Sequence, residues 1–159
     1  MMRIGFASDI HQLVENRKLM LGGVHIPFPL GELAHSDGDV VYHALGEAIL
    51  GALALGDLGT YFPNSPEYKD IDSSIIVSRI VKMMVENGYK VGNIDISITL
   101  KAPKLAPFIQ IMRANIAQLL YVDIKCVSVK AGTNEDIDEL GRGFAVRADA
   151  IVLLEKKEG

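Results

Sequence analysis

Cysteine is nearly absent. Cys126 stands alone among 159 residues, which excludes an internal disulfide framework and fits a reducing compartment. No apolar run approaches the roughly 20 residues that a membrane-spanning helix needs. The start, MMRIGFASDIH, has neither a signal-peptide pattern nor an Arg/Ser-rich transit segment. A cytoplasmic protein without a membrane partner is therefore expected. Positive charge is also scarce, with 16 Lys and Arg against 20 Asp and Glu, a net charge of −4 and no basic run. That balance argues against nonspecific nucleic-acid binding. The chain has no internal repeat, low-complexity stretch or linker, so residues 1–159 are read as one domain. Its 49% hydrophobic content suffices for one core.

What is present alternates between strand and helix patterns. From Arg3 to His11, Ile4, Phe6, Ser8 and Ile10 share one strand face, and Gly5, Ala7, Asp9 and His11 the other. Lys18 to Pro29 reads as a hairpin turning at Gly22-Gly23, with His25 on its second arm and no function assigned to it. A buried helix follows, with Val40, Val41, Ala44, Leu45, Ala48, Ile49, Ala52 and Leu53 at three- and four-residue steps. Ser36 or Asp37 is the expected cap of this helix and Gly56 its expected end. Asp57 to Gly59 reads as a turn and Tyr61 to Pro66 as a loop. Asp72-Ser73-Ser74 caps a second helix ending at Asn87-Gly88. A strand with Ile94, Ile96, Ile98 and Leu100 inward comes next. A third helix then carries Phe108, Met112, Ile116 and Leu120 inward, with Pro107 in its first turn. Val127, Val129 and Ala131 form a strand face. The segment up to Gly143 reads as irregular, Ala145 to Glu155 as a last strand, and KKEG as a solvated tail. This order predicts an α+β domain, a mixed β-sheet with helices on one face. Apolar residues of the other face, such as Ile151 and Leu153, then need cover, and subunit association is the simplest cover.

The chemistry gathers in two places. Asp9 and His11 point the same way, about 7 Å apart along their strand. His35, Ser36, Asp37, Asp39 and His43 crowd the start of the buried helix, whose positive end suits an anion or a metal's ligands. Two imidazoles and a carboxylate suit zinc with one coordination position open. Spacing alone allows either Asp9 or Asp39 as the carboxylate, because Asp39 and His43 are four residues apart on one helix side. Further on, Gly132-Thr133-Asn134-Glu135 offers backbone N–H groups, a hydroxyl and a carboxylate, suited to a phosphate and a hard cation. Lys104 adds a positive charge.

DIH (Asp9 to His11), AHSDGDVVYHAL (Ala34 to Leu45), ALGDLGTYFP (Ala54 to Pro63), APK (Ala102 to Lys104), KAGTNE (Lys130 to Glu135) and GRG (Gly141 to Gly143) appear in this order. Together they resemble the 2-C-methyl-D-erythritol 2,4-cyclodiphosphate synthase family of the non-mevalonate isoprenoid pathway, over essentially the whole chain. The resemblance implies a homotrimer whose sheets face the central axis, with active sites at subunit interfaces. It implies one Zn2+ per subunit on Asp9, His11 and His43, with Asp39 behind or capping. It implies Mg2+ or Mn2+ on Glu135 at the substrate diphosphate. His35 and Thr133 are the implied catalytic residues. Asp9, His11, His35, Ser36, Asp57, Gly59, Phe62, Glu135 and Arg142 are implied substrate contacts. The cytidine pocket would comprise Leu100, Lys101, Ala102, Pro103, Lys104, Leu105 and Ala106 with Ala131, Gly132 and Thr133. Two alternatives stand beside this reading: a non-catalytic nucleotide-binding trimer and a zinc hydrolase. Several positions depart from the family pattern. Gly132 stands where threonine is frequent, Ala7 where a second glycine is usual, Glu139 where an aromatic is common and Phe144 where a glutamate often follows GRG.

Overall fold

The computed structural model describes residues 1–157; Glu158 and Gly159, the end of the tail, lie outside the described residues. The chain runs β1 (Met2–Glu15), β2 (Leu19–Leu21), β3 (Val24–Ile26), β4 (Leu30–Glu32), α1 (Val40–Leu53), α2 (Leu58–Tyr61), α3 (Ser73–Glu86), β5 (Tyr89–Thr99), α4 (Ile109–Leu120), β6 (Val127–Gly132), α5 (Asp138–Gly141) and β7 (Ala145–Lys156). One five-stranded sheet has the order β4-β1-β7-β5-β6, and β2 with β3 makes a separate hairpin. The sheet is mixed: β5 and β6 are parallel, joined across α4, while β1, β7 and β5 alternate in direction. The α+β expectation is met.

The alternation along the strands sets the faces. On β7, Val146, Ala148, Ala150, Val152 and Leu154 are fully buried, and on β5 so are Ile94, Ile96 and Ile98. Helix α1 lies against β1 and β7 on this side, and α3 packs on α1. Because α1 is enclosed by sheet, hairpin and α3, it is apolar around almost its whole circumference. Gly5 permits the closest approach: a Cβ there would stand 1.8 Å from the Ala48 carbonyl oxygen of α1, so any side chain would push helix and strand apart. Gly22 and Gly23, both at positive φ (+57° and +74°), form the two-residue hairpin turn expected of them.

Among the described residues, nothing covers the other face of the sheet. Ile4, Phe6 and Ile10 of β1 are 73%, 61% and 54% exposed, and Ile151 of β7 is 49% exposed. Phe6 stands directly across from Ile151 and Ile4 from Leu153, so these side chains form a contiguous apolar strip.

Several boundaries differ from the sequence reading. Helix α1 ends at Leu53 with Ala54 in the left-handed conformation, two residues before Gly56, because the Ala54 N–H already closes onto Gly51 and Leu50. Its N-cap is Asp39, not Ser36 or Asp37, since the first helical residue is Val40. Asp57 caps a short helix, α2, by accepting from the Thr60 N–H. The segment before Gly143 contains α5, whose Gly141 N–H is held by Asp138 Oδ1. Strand β4 is too short for an alternation pattern to reveal. No helix among the described residues is long and apolar enough to cross a membrane.

Candidate active site

Strand β1 presents Asp9 and His11 toward α1, and the first turn of α1 presents His43 back. Asp9 Oδ2 is 3.1 Å from His11 Nε2 and 3.3 Å from His43 Nδ1. The three ligand atoms all lie within 4.8 Å of one another. A tetrahedral ion with bonds near 2.1 Å sets its ligand atoms about 3.4 Å apart, so the triad fits a zinc-sized ion with little rearrangement. Each imidazole is held from behind. His11 Nδ1 donates to the Gly38 carbonyl at 2.8 Å, and His43 Nε2 has the hydroxyls of Ser36 and Ser73 at 3.0 Å each.

The electrostatics agree with the geometry. Burial pushes the Asp9 carboxyl up, but hydrogen bonds from His11 and His43 outweigh it and hold Asp9 well below the usual carboxylate range. Burial works against a charge on His11, yet Asp9 and Glu32 raise it to about 10. The centre of this cluster therefore favours a positive charge, and a metal ion replaces a proton in such a place.

Asp39 is not part of the triad. Its Oδ1 accepts from Gly22 N and Tyr42 N at 2.9 and 3.1 Å, and its Oδ2 from Gly23 N at 2.7 Å. Fully buried, with burial and the neighbouring Glu32 raising it to about 7, it ties the hairpin turn to the start of α1. Asp39→Asn should keep the metal but destabilise the fold by about 1–3 kcal/mol, because one amide N–H would face a backbone donor left unpaired. Urea unfolding beside metal analysis checks both halves; loss of the metal at full stability would make Asp39 a ligand after all.

The other expected residues fall into two clefts. One, of about 290 Å³, is lined by His11, His35, Ser36, His43, Gly59, Phe62 and Asn64 among others. The second, also about 290 Å³, is lined by Leu100, Lys101, Pro103, Lys104, Leu105, Ala106, Ile109, Ala131, Gly132 and Thr133. The clefts share no lining residue. His35 Nε2 donates to the Ser65 carbonyl at 2.8 Å. Asp57 is exposed beside the first cleft and accepts from Thr60. Ala102 is exposed at the rim of the second. Glu135 lies apart from the triad, its Oε1 taking the Thr133 hydroxyl at 3.3 Å, and Arg142 pairs with Glu139 at 2.9 Å. The segment after Phe62 is not merely a loop: Pro66–Tyr68 makes a 3₁₀ turn, and Arg79 lies over the rings of Phe62 and Tyr68.

Glu32 and Arg17 escaped the sequence reading. Glu32 is fully buried, accepts from Val40 N at 3.1 Å and Met20 N at 3.2 Å, and stands 3.8 Å from His11 Nδ1. Arg17 clamps the carbonyls of Glu32 and Ser36 at 3.0 and 2.7 Å. In sequence, a lone Glu and a lone Arg beside glycine and asparagine look like surface residues.

A mixed α+β fold that sets a histidine–carboxylate triad in a cleft at a helix start defines a candidate metal-binding enzyme. The model of the YgbB family matches residues 2–155, and curated relatives are named 2-C-methyl-D-erythritol 2,4-cyclodiphosphate synthase; the chain belongs to that family, as its motifs suggested. The relative from Chloroherpeton thalassium is 51% identical over 98% of this chain and 99% of its own. The one from Chlorobaculum parvum is 50% identical over 98% and 100%. Among solved structures, the bifunctional IspDF from Campylobacter jejuni matches with TM-score 0.95 and 37% identity over 99% of this chain, which spans 43% of that longer protein. IspF from Plasmodium falciparum, solved as a CDP complex, matches with TM-score 0.88 and 34% identity over 99% of this chain and 97% of its own.

Proposed function

We propose that this chain converts 4-diphosphocytidyl-2-C-methyl-D-erythritol 2-phosphate to 2-C-methyl-D-erythritol 2,4-cyclodiphosphate and CMP, as a single cytoplasmic domain acting in a homotrimer. The observation that carries the reading is the division of the motif residues between two clefts with no lining residue in common. A triad without a nucleotide pocket beside it and a pocket without a triad make two half-sites, which neighbouring subunits can join. The uncovered apolar strip of Ile4, Phe6, Ile10 and Ile151 supports association through the sheet. The relative solved with CDP supports a cytidine nucleotide as ligand.

In this reading Asp9, His11 and His43 would hold zinc, and Glu135 would take Mg2+ or Mn2+ with the substrate diphosphate. When bound, these ions supply positive charge that lets two anionic phosphate groups approach. The 2-phosphate oxygen attacks the β-phosphorus; the bond from that phosphorus to the bridging oxygen breaks, and CMP leaves with the electron pair. The nucleophile is already anionic at neutral pH, so no strong base is needed. The protein's work is positioning and charge stabilisation. His35 and the Ser36 hydroxyl stand in the triad's cleft to donate to phosphate oxygens. Asp57 would accept from the erythritol hydroxyls, and Gly59 and Phe62 would line their side. The segment Leu100 to Ala106 would hold the cytosine and ribose with Ala131 and Gly132, while Lys104, Thr133 and Arg142 would meet phosphate charge.

Incubation with this substrate, followed by phosphorus NMR, tests the proposal. The expected product is the cyclic diphosphate, formed in step with CMP. A linear product would indicate a zinc hydrolase, and substrate binding without turnover a nucleotide-binding trimer.

A further inference from the structure

Among the described residues, the buried polar or charged side chains are Glu32, Ser36, Asp39 and Ser73. Burying a hydroxyl is costly unless it is hydrogen-bonded. Glu32 and Asp39 have backbone partners, and Ser36 lines the cleft. Ser73 is different: it is fully buried at the start of α3, thirty residues beyond His43, and the sequence marks it only as one of three capping residues. Its Oγ is 2.5 Å from Asp37 Oδ1 and 3.0 Å from His43 Nε2.

Proton counting fixes the direction of these bonds. A carboxylate only accepts, so the Ser73 hydroxyl gives its one proton to Asp37. Ser73 Oγ can then only accept from His43, which places the proton of that imidazole on Nε2. With Nε2 holding its proton, Nδ1, which faces Asp9 where the triad's ligand atoms converge, is the nitrogen able to give a lone pair to a metal in place of its own proton. Ser36 Oγ is equally near Nε2 but already accepts the Gly38 N–H at 3.1 Å, and no carboxylate takes its proton. Asp37 is itself fixed: Oδ2 accepts from the Ser73 backbone N–H and Oδ1 from the Asp39 N–H, each at 3.1 Å. The relay thus ties the start of α3 to the first turn of α1.

We infer that Ser73 and Asp37 are positioning residues that hold His43 in its Nε2–H form, presenting Nδ1 to the metal. This rests on the proposed zinc site. Partners of this kind, one bond behind a ligand, typically govern metal affinity by about 10–100-fold.

Chelator competition with zinc alone tests the inference on the full-length protein. Wild type should bind about one zinc per chain. Ser73→Ala should weaken zinc about 10- to 100-fold, and more than Ser36→Ala does. Ser74→Ala, next in the chain, should leave affinity unchanged. Asp37→Ala removes the proton's acceptor without touching the imidazole's neighbour. The Ser73 hydroxyl is then free to turn its proton toward Nε2 and favour the wrong tautomer, so this variant should also lose affinity. It serves as the decisive variant if Ser73→Ala fails to fold. Melting of the zinc-free proteins serves as the control: a merely structural role would lower those melting temperatures and leave the zinc affinity of the folded protein as in wild type. Wild-type affinity in a folded Ser73→Ala, or in a folded Asp37→Ala, overturns the inference while leaving the zinc site intact. A wild type that binds no zinc overturns both.

Discussion

His43→Ala should leave the protein without zinc and without measurable cyclisation. Only Asp9 and His11 would remain, and two ligands rarely hold zinc against buffer and water. The loss should exceed the roughly 10–100-fold typical of removing a partner behind a ligand, because the ligand itself is gone. A second effect separates metal loss from misfolding. An ion that binds only the folded state stabilises it by mass action, so adding zinc should raise the melting temperature of the wild type and not that of the variant. Removing the imidazole leaves the apolar packing of Val40, Val41, Ala44 and Leu45 in place but takes a partner from Ser36 and Ser73, so the zinc-free variant should stay folded and melt modestly below zinc-free wild type. Full zinc content in folded His43→Ala would remove this residue from the site.

The legible parts of the molecule were those with a strong local pattern. Strand β7 announced itself through Val146, Ala148, Ala150, Val152 and Leu154, and α1 through its dense apolar spacing. Asp9 and His11 could be paired because strand geometry puts alternate residues on one side. What local pattern could not supply was contact across the chain. Spacing left Asp9 and Asp39 equivalent; only the fold brings Gly22 and Gly23 over Asp39, occupying both its oxygens. Ser73 reads as one of three capping residues, and its link to His43 exists only because α3 packs on α1. Glu32 sits in a three-residue strand with no alternation to betray that it is buried. The cap of α1 was misplaced because Ser36, Asp37 and Asp39 are all chemically able to cap, and the choice depends on where the loop from β4 turns, held by Arg17.

In the proposed trimer, a working site would take its triad from one subunit and its nucleotide cleft from the next. Two variants divide these halves. His43→Ala destroys the triad and spares the second cleft. Gly132→Trp places a large side chain at the lining of the second cleft and spares the triad; a Cβ at Gly132 meets nothing within 4 Å, so the substitution starts into open space. Each variant alone should be inactive, because every site in its trimer lacks the same half. Mixed trimers differ, since a site works wherever a Gly132→Trp subunit supplies the triad to the cleft of a His43→Ala neighbour. With equal expression and random cyclic assembly, that order occurs at about one site in four. The measurement is therefore CMP release by purified, co-expressed trimers, after sizing has established that each variant assembles like the wild type. Recovery of about a quarter of wild-type activity is expected; mixed trimers that stay as inactive as either parent would contradict a site shared between subunits.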